Sequence, residues 1–259
     1  MKKIVIQGIK FDDKSSFQKG ARFAPAIIRE VLNCGSSNMF AENGISIENS
    51  LIVDKGDFEI NEYFSIEGIT RKHLSEGNRI LSLGGDHSIT FPIIKAMKKK
   101  YNKIDILHID AHADLYDEYD NDKYSHACPM TRIMENNLAE RLVQVGIRTL
   151  NTHQIEQADK FKVEIHQMKN LGTIPKFENP LYISLDMDAF DPAFAPGVSH
   201  NEPGGLTSRQ VIDIIQNLDA EIIGADIVEY NPERDFQKMT AFLAAKMMKE
   251  ILGKMLEKK

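Results

Sequence analysis

Eight short apolar runs recur along the 259-residue chain, and amphipathic segments separate them. Several runs are apolar on both faces, which is typical of strands in a parallel sheet that helices cover on both sides. The runs lie at 4–9, 51–54, 80–83, 104–109, 142–146, 163–165, 181–185 and 222–227. Their alternation with helical patterns predicts an α/β fold with roughly eight strands.

The segments between the runs show helical spacing of apolar residues at 25–32, 89–100 and 208–218, and a closing helix is predicted over 237–256. Two polar stretches that follow strands, 117–130 and 191–205, are predicted to be loops. Ligands gather at the carboxyl ends of strands in open α/β sheets. Because no repeat, low-complexity segment or flexible linker interrupts the pattern, we expect one domain over 1–259.

Composition and charge limit the kinds of protein that this sequence can be. Hydrophobic residues make up 42% and charged residues 27%, as in ordinary globular proteins. The net charge of -6 gives no support for binding nucleic acid. With two separated cysteines, Cys34 and Cys128, no apolar run long enough for a membrane span and no signal-peptide pattern, we expect a cytoplasmic protein.

The end of the fourth run has an unusual spacing of ionisable residues. In "LHIDAHADL" Asp110, His112 and Asp114 occupy every second position, so an extended chain projects them to one side. Crowded carboxylates repel one another and are costly to bury without a cation. The seventh run repeats the pattern, since "LYISLDMDAFDP" brings Asp186 and Asp188 to its end.

A third run ends in "LSLGGDHSIT", where two glycines permit a tight turn before His87. The three motifs together supply four carboxylates and two imidazoles, and four negative charges balance two divalent cations. Oxygen-rich ligands without a thiolate favour Mn²⁺ over a structural zinc site. Two such ions could share a bridging water and convert it to hydroxide, which predicts a hydrolase. Each motif in isolation is also compatible with a surface turn or a helix cap.

At these residues the sequence resembles the ureohydrolase family of arginases and agmatinases. The matching motifs are "GGDHS" at 84–88, "DAHADL" at 110–115 and "SLDMDAFDPAFAPG" at 184–197, with further likeness in "KGARFAPAIIRE" at 19–30 and "GADIVEYNP" at 224–232. The resemblance implies a three-layer α/β/α sandwich around an eight-stranded, mostly parallel sheet. It agrees with the strand pattern found independently.

The resemblance also implies two Mn²⁺ ions. One would be bound by His87, Asp110, Asp114 and Asp186, and the other would share both bridging carboxylates, Asp110 and Asp186, and add His112 and Asp188. The implied reaction is attack of a metal-bridging hydroxide on a guanidinium carbon, which releases urea and an amine.

Three residues receive catalytic roles from the resemblance. Asp114 would orient the hydroxide, His126 in "YSHACPM" would relay protons to the leaving amine, and Glu229 in "DIVEYNP" would hold the guanidinium. Family members usually carry glycine after the loop histidine, whereas this chain has Ala127. If that position required a positive φ, alanine would be strained there.

The predicted substrate is agmatine. Tyr116 stands where arginases have an asparagine that binds the amino-acid head group, and acidic residues follow it, which suits an amine better than a carboxylate. His200 and Glu202 in "VSHNEPGG" are candidates for the tail pocket. N1-aminopropylagmatine, guanidinobutyrate and arginine remain alternatives, because tail length changes binding by only about 1–3 kcal/mol.

Two other classes of protein remain open. A single-zinc deacetylase-like hydrolase would bind one ion per chain rather than two, and a non-catalytic member would bind metal or polyamine without turnover. The resemblance further implies a homo-oligomer, a trimer or a hexamer. No membrane or nucleic-acid partner is expected.

Overall fold

The computed structural model describes residues 2–257. Within that range eight strands form one sheet. The strands are β1 (Ile4–Lys10), β2 (Ile52–Glu59), β3 (Arg79–Leu83), β4 (Asp105–Ile109), β5 (Arg141–Ile147), β6 (Glu164–Gln167), β7 (Leu181–Asp186) and β8 (Ile222–Val228). Their order across the sheet is β2-β1-β3-β8-β7-β4-β5-β6, and every pairing described is parallel.

The two halves of the sheet meet around β7 and β8, which are the last strands in the sequence. The chain passes from β3 to β4, and β8 and β7 later fill the space between them. Four adjacent strands, in the order β3-β8-β7-β4, therefore end side by side at the centre of the sheet. This reversal of strand order is where open α/β folds bind their ligands.

Helices cover both faces of the sheet. They are α1 (Ala24–Leu32), α2 (Ser65–Ser75), α3 (Thr90–Lys98), α4 (Pro129–Glu135), α5 (Thr152–Phe161), α6 (Ser208–Gln216) and α7 (Met239–Leu256). The side chains of α1, α6 and α7 share one apolar core with one face of the sheet. Those of α2 to α5 share a second core with the opposite face. The predicted three-layer α/β/α fold is therefore confirmed.

Strand alternation assigns residues to the two cores. Ile6 and Leu81 belong to the core with α1 and α7, whereas their chain neighbours Val5 and Ile80 belong to the other core. Both neighbours are apolar because both faces are buried, which explains why the runs in the sequence have apolar residues at adjacent positions.

The predicted strands correspond to the observed ones with small shifts at their ends. The second strand is longer than predicted and continues to Glu59. The apolar pattern missed its second half because β2 lies at the edge of the sheet, where its residues are only half-buried or exposed. The closing helix begins at Met239 rather than at 237, since Gln237 and Lys238 adopt left-handed φ values of 51° and 59°.

The apolar pattern did not predict α2, α4 and α5. The buried side of α5 consists mainly of Gln154, Gln157 and Ala158, so apolar residues do not mark its helical period. The predicted loop over 117–130 is a loop up to Cys128, and α4 begins at Pro129, a residue that suits the first turn of a helix.

Candidate active site

The four central strands bring the three acidic motifs together at one end of the sheet. Ile109 on β4 pairs with Leu185 on β7, so the next residues, Asp110 and Asp186, lie side by side. His87 follows β3 by a short turn, and Glu229 follows β8 directly. The sequence does not reveal how motifs on distant parallel strands are aligned with one another. Their alignment is set by the pairing of the strands in the sheet.

His87 is surrounded by carboxylates. Its Nδ1 atom lies 3.1 Å from an oxygen of each of Asp110, Asp114 and Asp186. The atom is buried, yet it makes no hydrogen bond of acceptable geometry. A single N–H cannot donate to three oxygens at equal distance, whereas one nitrogen and three oxygens around a common centre form a cation site.

The second half of the cluster is formed by His112 and Asp188. His112 Nδ1 lies 3.0 Å from Asp188 Oδ2 and 3.6 Å from Asp110 Oδ1. Potential ligand atoms of Asp110, His112 and Asp188 all lie within 4.8 Å of one another. His112 is about a third exposed, unlike the buried His87, so the cluster opens towards solvent on this side.

Electrostatics show why the cluster favours cations. Burial, together with the neighbouring carboxylates of Asp188 and Asp110, raises the pKa of Asp186 well above its usual range. Burial opposes the charged form of His87, but three adjacent carboxylates outweigh it and raise the pKa of His87 well above its usual value. Without metal, protons must therefore neutralise the site, and divalent cations could replace them.

The donor set fits hard to intermediate divalent ions. It consists of carboxylate oxygens with two imidazoles and no thiolate, which suits Mn²⁺. His108, although close to Asp110, is already bonded at both ring nitrogens. Its Nε2 lies 2.6 Å from Asp110 Oδ2, and its Nδ1 accepts from Gln144 Nε2 at 3.0 Å. We therefore interpret His108 as support for Asp110 rather than as a ligand.

Glu229 and His126 form a buried pair next to the cluster. His126 Nδ1 lies 2.9 Å from Glu229 Oε1, which also accepts the backbone N–H of His87 at 2.8 Å. Burial disfavours charge on His126, but Glu229 outweighs this effect and raises the pKa of His126 to about 9. An imidazolium held against a carboxylate can donate a proton and take it back.

Ser16 completes this pair and was not predicted from the sequence. Its Oγ lies 2.8 Å from His126 Nε2. Asp86 holds the segment that carries Ser16, because its carboxylate accepts the backbone N–H of Lys14 at 2.9 Å. Ser16 lies in "DDKSSFQKG", which has no spacing that indicates a site; only the tertiary contact does.

Asp114 and Glu229 share an unusual backbone conformation, with φ values of 52° and 61°. Non-glycine residues at positive φ are uncommon and cost about 1–3 kcal/mol, and they cluster at active sites. Ala127 is not among the positive-φ residues found between residues 2 and 257. The strain expected for alanine after His126 therefore does not arise.

A cavity of about 200 Å³ opens above the cluster. Tyr116, Tyr119, Gln154, Thr149 and His200 line it together with residues of the cluster. The ring of His200 lies 5.2 Å from that of His126 and 6.0 Å from that of His112.

Glu202 is placed differently from the other predicted tail residue, His200. In the part of the chain that the structure describes, Glu202 is not a lining residue of the cavity. Its carbonyl oxygen instead accepts two hydrogen bonds from the Arg148 guanidinium. The assignment of Glu202 to the tail pocket therefore rests on the sequence alone.

Fold and site together define a class: an α/β protein whose central strands end in a buried carboxylate–imidazole cation site beneath a small cavity. Comparison with known proteins identifies the family. A model described as "Arginase family" matches residues 2–253. The chain therefore belongs to the arginase family, as the motifs predicted.

Individual relatives carry more than one name within this family. Mitochondrial arginase of Medicago truncatula is 42% identical over 96% of this chain and 80% of its own length. Agmatinase of Bacillus anthracis is 34% identical over 96% of this chain and 90% of its own length. A solved structure of Medicago truncatula arginase superposes with a TM-score of 0.91, covering 98% of this chain and 87% of that one, at 38% identity.

The helices described between residues 2 and 257 do not include a candidate membrane span. Between residues 2 and 257, no helix combines the length and the apolar character needed to span a bilayer.

Proposed function

We propose that this chain is a metal-dependent hydrolase that releases urea from a small guanidine compound. The observation that carries the proposal is the Nδ1 atom of His87, buried at 3.1 Å from three carboxylate oxygens and without a hydrogen bond. Membership of the arginase family supplies the reaction class.

We assign one Mn²⁺ to His87, Asp110, Asp114 and Asp186, and a second to Asp110, His112, Asp186 and Asp188. When bound, the two ions would supply Lewis-acid chemistry and an activated water near neutral pH. The four carboxylates match the charge of two divalent ions, which would offset the burial and the repulsion that raise the pKa of Asp186.

The remaining residues bind the substrate and manage its protons. Oε1 of Glu229 accepts hydrogen bonds from His87 and His126, so we assign Oε2 to the guanidinium. His126 would protonate the leaving amine through its Nδ1 or Nε2 position. Burial opposes the charged forms of His126 and Glu229. Their interaction with each other outweighs burial, so the pair is charged.

Agmatine is our first candidate substrate. Among the described residues that line the cavity, none is lysine or arginine, so no ammonium or guanidinium group is offered to a substrate carboxylate. Asp117, Glu118 and Asp120 are exposed in the segment that also supplies Tyr116 and Tyr119 to the cavity. This acidic rim favours an ammonium tail.

Arginine is the second candidate, and a specific observation favours it. The Medicago relative named as an arginase is 42% identical, whereas the Bacillus relative named as an agmatinase is 34% identical. The two candidates differ by one carboxylate, so the charge of the cavity and the similarity of the sequence point in opposite directions.

Urea release by the Mn²⁺-loaded protein tests the proposal, with agmatine, arginine, N1-aminopropylagmatine and guanidinobutyrate compared side by side. Preference for agmatine supports the amine-tail assignment, and preference for arginine replaces it while leaving the chemistry intact. No urea from any of the four, with two Mn²⁺ bound per chain, would contradict the hydrolase proposal. One Zn²⁺ per chain would favour the deacetylase-like alternative.

We also propose that residues 1–259 act as one catalytic domain and that the protein works in the cytoplasm as a homo-oligomer, a trimer or a hexamer. Sedimentation analysis of the purified protein tests the assembly. A monomer at micromolar concentration would contradict it.

A further inference from the structure

A row of buried polar side chains crosses the sheet directly beneath the cluster. Strand pairing aligns one residue from each of six neighbouring strands. The members of this polar row are Gln7, Ser82, Asp226, Ser184, His108 and Gln144, and each is fully buried. Burying six polar side chains inside an apolar layer is costly unless their hydrogen bonds are made and used.

The row lies two residues before the ligands along two strands. Ser184 precedes Asp186 on β7, and His108 precedes Asp110 at the end of β4. Residues two apart project to the same face of a sheet, so row and ligands face the same side. The row is thus placed to contact the ligand side chains from below.

The middle of the row reaches His87. His87 Nε2 lies 2.9 Å from Ser184 Oγ, and Ser184 Oγ donates to Asp226 Oδ1 at 2.7 Å. The other oxygen of Asp226 accepts from Tyr182 Oη at 2.7 Å and from Thr90 Oγ1 at 2.8 Å. Three hydroxyl donors surround one buried carboxylate.

These contacts determine the direction of each hydrogen bond. An ionised carboxylate only accepts, and a serine hydroxyl has one proton to donate. Ser184 therefore donates to Asp226 and accepts from the Nε2–H of His87. A neutral His87 then carries its proton on Nε2 and points the lone pair of Nδ1 at the cation site formed by the carboxylates.

We propose that Asp226 and Ser184 are positioning residues that set the tautomer and the ring orientation of His87 for metal binding. The inference rests on the proposed metal site and extends it to a layer of side chains that touch no ion. Such outer partners of a metal-ligating histidine typically change metal affinity by about 10–100-fold when removed.

The other serine of the row, on the far side of Asp226, provides a matched control. Ser82 is as buried as Ser184 and belongs to the same row, but it accepts its hydrogen bond from Gln7 Nε2 at 3.1 Å. Ser82→Ala and Ser184→Ala are therefore the same substitution in the same layer, and only the second removes a contact to His87.

The test is Mn²⁺ titration by calorimetry of the full chain, with thermal unfolding of the metal-free proteins as a measure of general stability. We expect Ser184→Ala to weaken one of the two sites by about 10–100-fold and Ser82→Ala to leave both affinities unchanged. Asp226→Asn should weaken the same site at least as much, since its amide can donate to Ser184 and reverse the proton order. This second variant keeps the test open if Ser184→Ala does not fold.

Equal Mn²⁺ affinities in Ser184→Ala, Asp226→Asn and Ser82→Ala would overturn the inference while leaving the proposed function standing. Equal weakening of both sites in Ser184→Ala would overturn it too, because a general loss of packing does not select one ion. Absence of Mn²⁺ binding by the unmodified chain would overturn the proposed function and, with it, the inference.

Discussion

The cluster of candidate metal ligands and the rim of the cavity are built in different ways. The ligands stand at the ends of central strands or in the turns beyond them, and most are buried, with His87 1% and Asp110 0% exposed. The rim comes from loops, and Tyr119, which lines the cavity there, is 36% exposed. The cluster is held by the sheet, whereas the rim is held by contacts between loops.

This difference separates two kinds of functional information. Reaction chemistry depends on groups whose positions are held by a rigid sheet, and those groups follow motifs that can be read in the sequence. In the proposed function, choice of substrate depends on loop side chains such as Tyr116 and His200, which line the same cavity only after folding. Loops carry specificity in many folds for this reason.

The largest effect is expected from the cluster. Asp186→Asn removes a carboxylate that we assign to both ions, so Mn²⁺ binding should be lost. Turnover should fall by more than the factor of about 10²–10⁴ that is typical for loss of one acid–base group. Calorimetry and urea release measure the two losses. Asp213→Asn on the exposed side of α6 is the control and should behave as wild type. Full activity of Asp186→Asn would show that the cluster does not take part in the reaction.

A smaller effect is expected where cluster and rim meet. His126→Asn should retain both ions and lower kcat by about 10²-fold or more, because the leaving amine loses its proton donor. His153→Asn, next to Tyr116 on the rim, is the control. An unchanged kcat in His126→Asn would show that His126 is not the proton relay.

The same pair predicts a dependence of stability on pH in the metal-free protein. Glu229 raises the pKa of His126 from its usual 6.5 to about 9, although burial opposes this. The contribution of His126 to this pair is therefore complete below about pH 6.5 and is lost as the pH rises through about 9. A shift of this size corresponds to about 3 kcal/mol.

Urea unfolding at a series of pH values measures this effect as the difference between wild type and His126→Asn. The difference in the free energy of unfolding should shrink between about pH 6.5 and about pH 9, and stay constant above that range. Subtracting the variant removes the contributions of His87 and His112, which both proteins retain. A difference that does not change with pH would contradict the assigned ion pair.

The smallest effect is expected on the rim. Tyr116→Phe removes a hydroxyl that accepts a hydrogen bond from Asn151 Nδ2 at 2.6 Å. Loss of one hydrogen bond is worth about 0.5–1.5 kcal/mol, so KM should rise several-fold with little change in kcat. Tyr119→Phe is the matched substitution at a neighbouring tyrosine of the cavity. A large fall in kcat would mean that Tyr116 takes part in chemistry.

Much of the fold could be predicted because both faces of the sheet are buried. Runs with apolar residues at adjacent positions, such as 4–6, have few other uses in a chain of this composition. The helices α2 and α5 escaped prediction because their buried faces include polar residues such as His73 and Gln154, which find hydrogen-bond partners only in the folded protein.

The candidate metal ligands could also be named from the sequence, because spacing by two at a strand end is a local property. Asp110 and Asp114, and likewise Asp186 and Asp188, are close in the chain and stay close in space. Carboxylates crowded in this way repel one another, so their spacing favours a cation. Local sequence thus determined the fold class, the candidate ligands and the family.

Only the tertiary structure decided how these parts meet. The order β3-β8-β7-β4 places His87, Glu229, Asp186 and Asp110 at one point, although 142 positions separate His87 from Glu229. The contact of Ser16 with His126 and that of Ser184 with Asp226 span 110 and 42 positions. Contacts between distant segments depend on strand order and register, and no local pattern of residues encodes either of them.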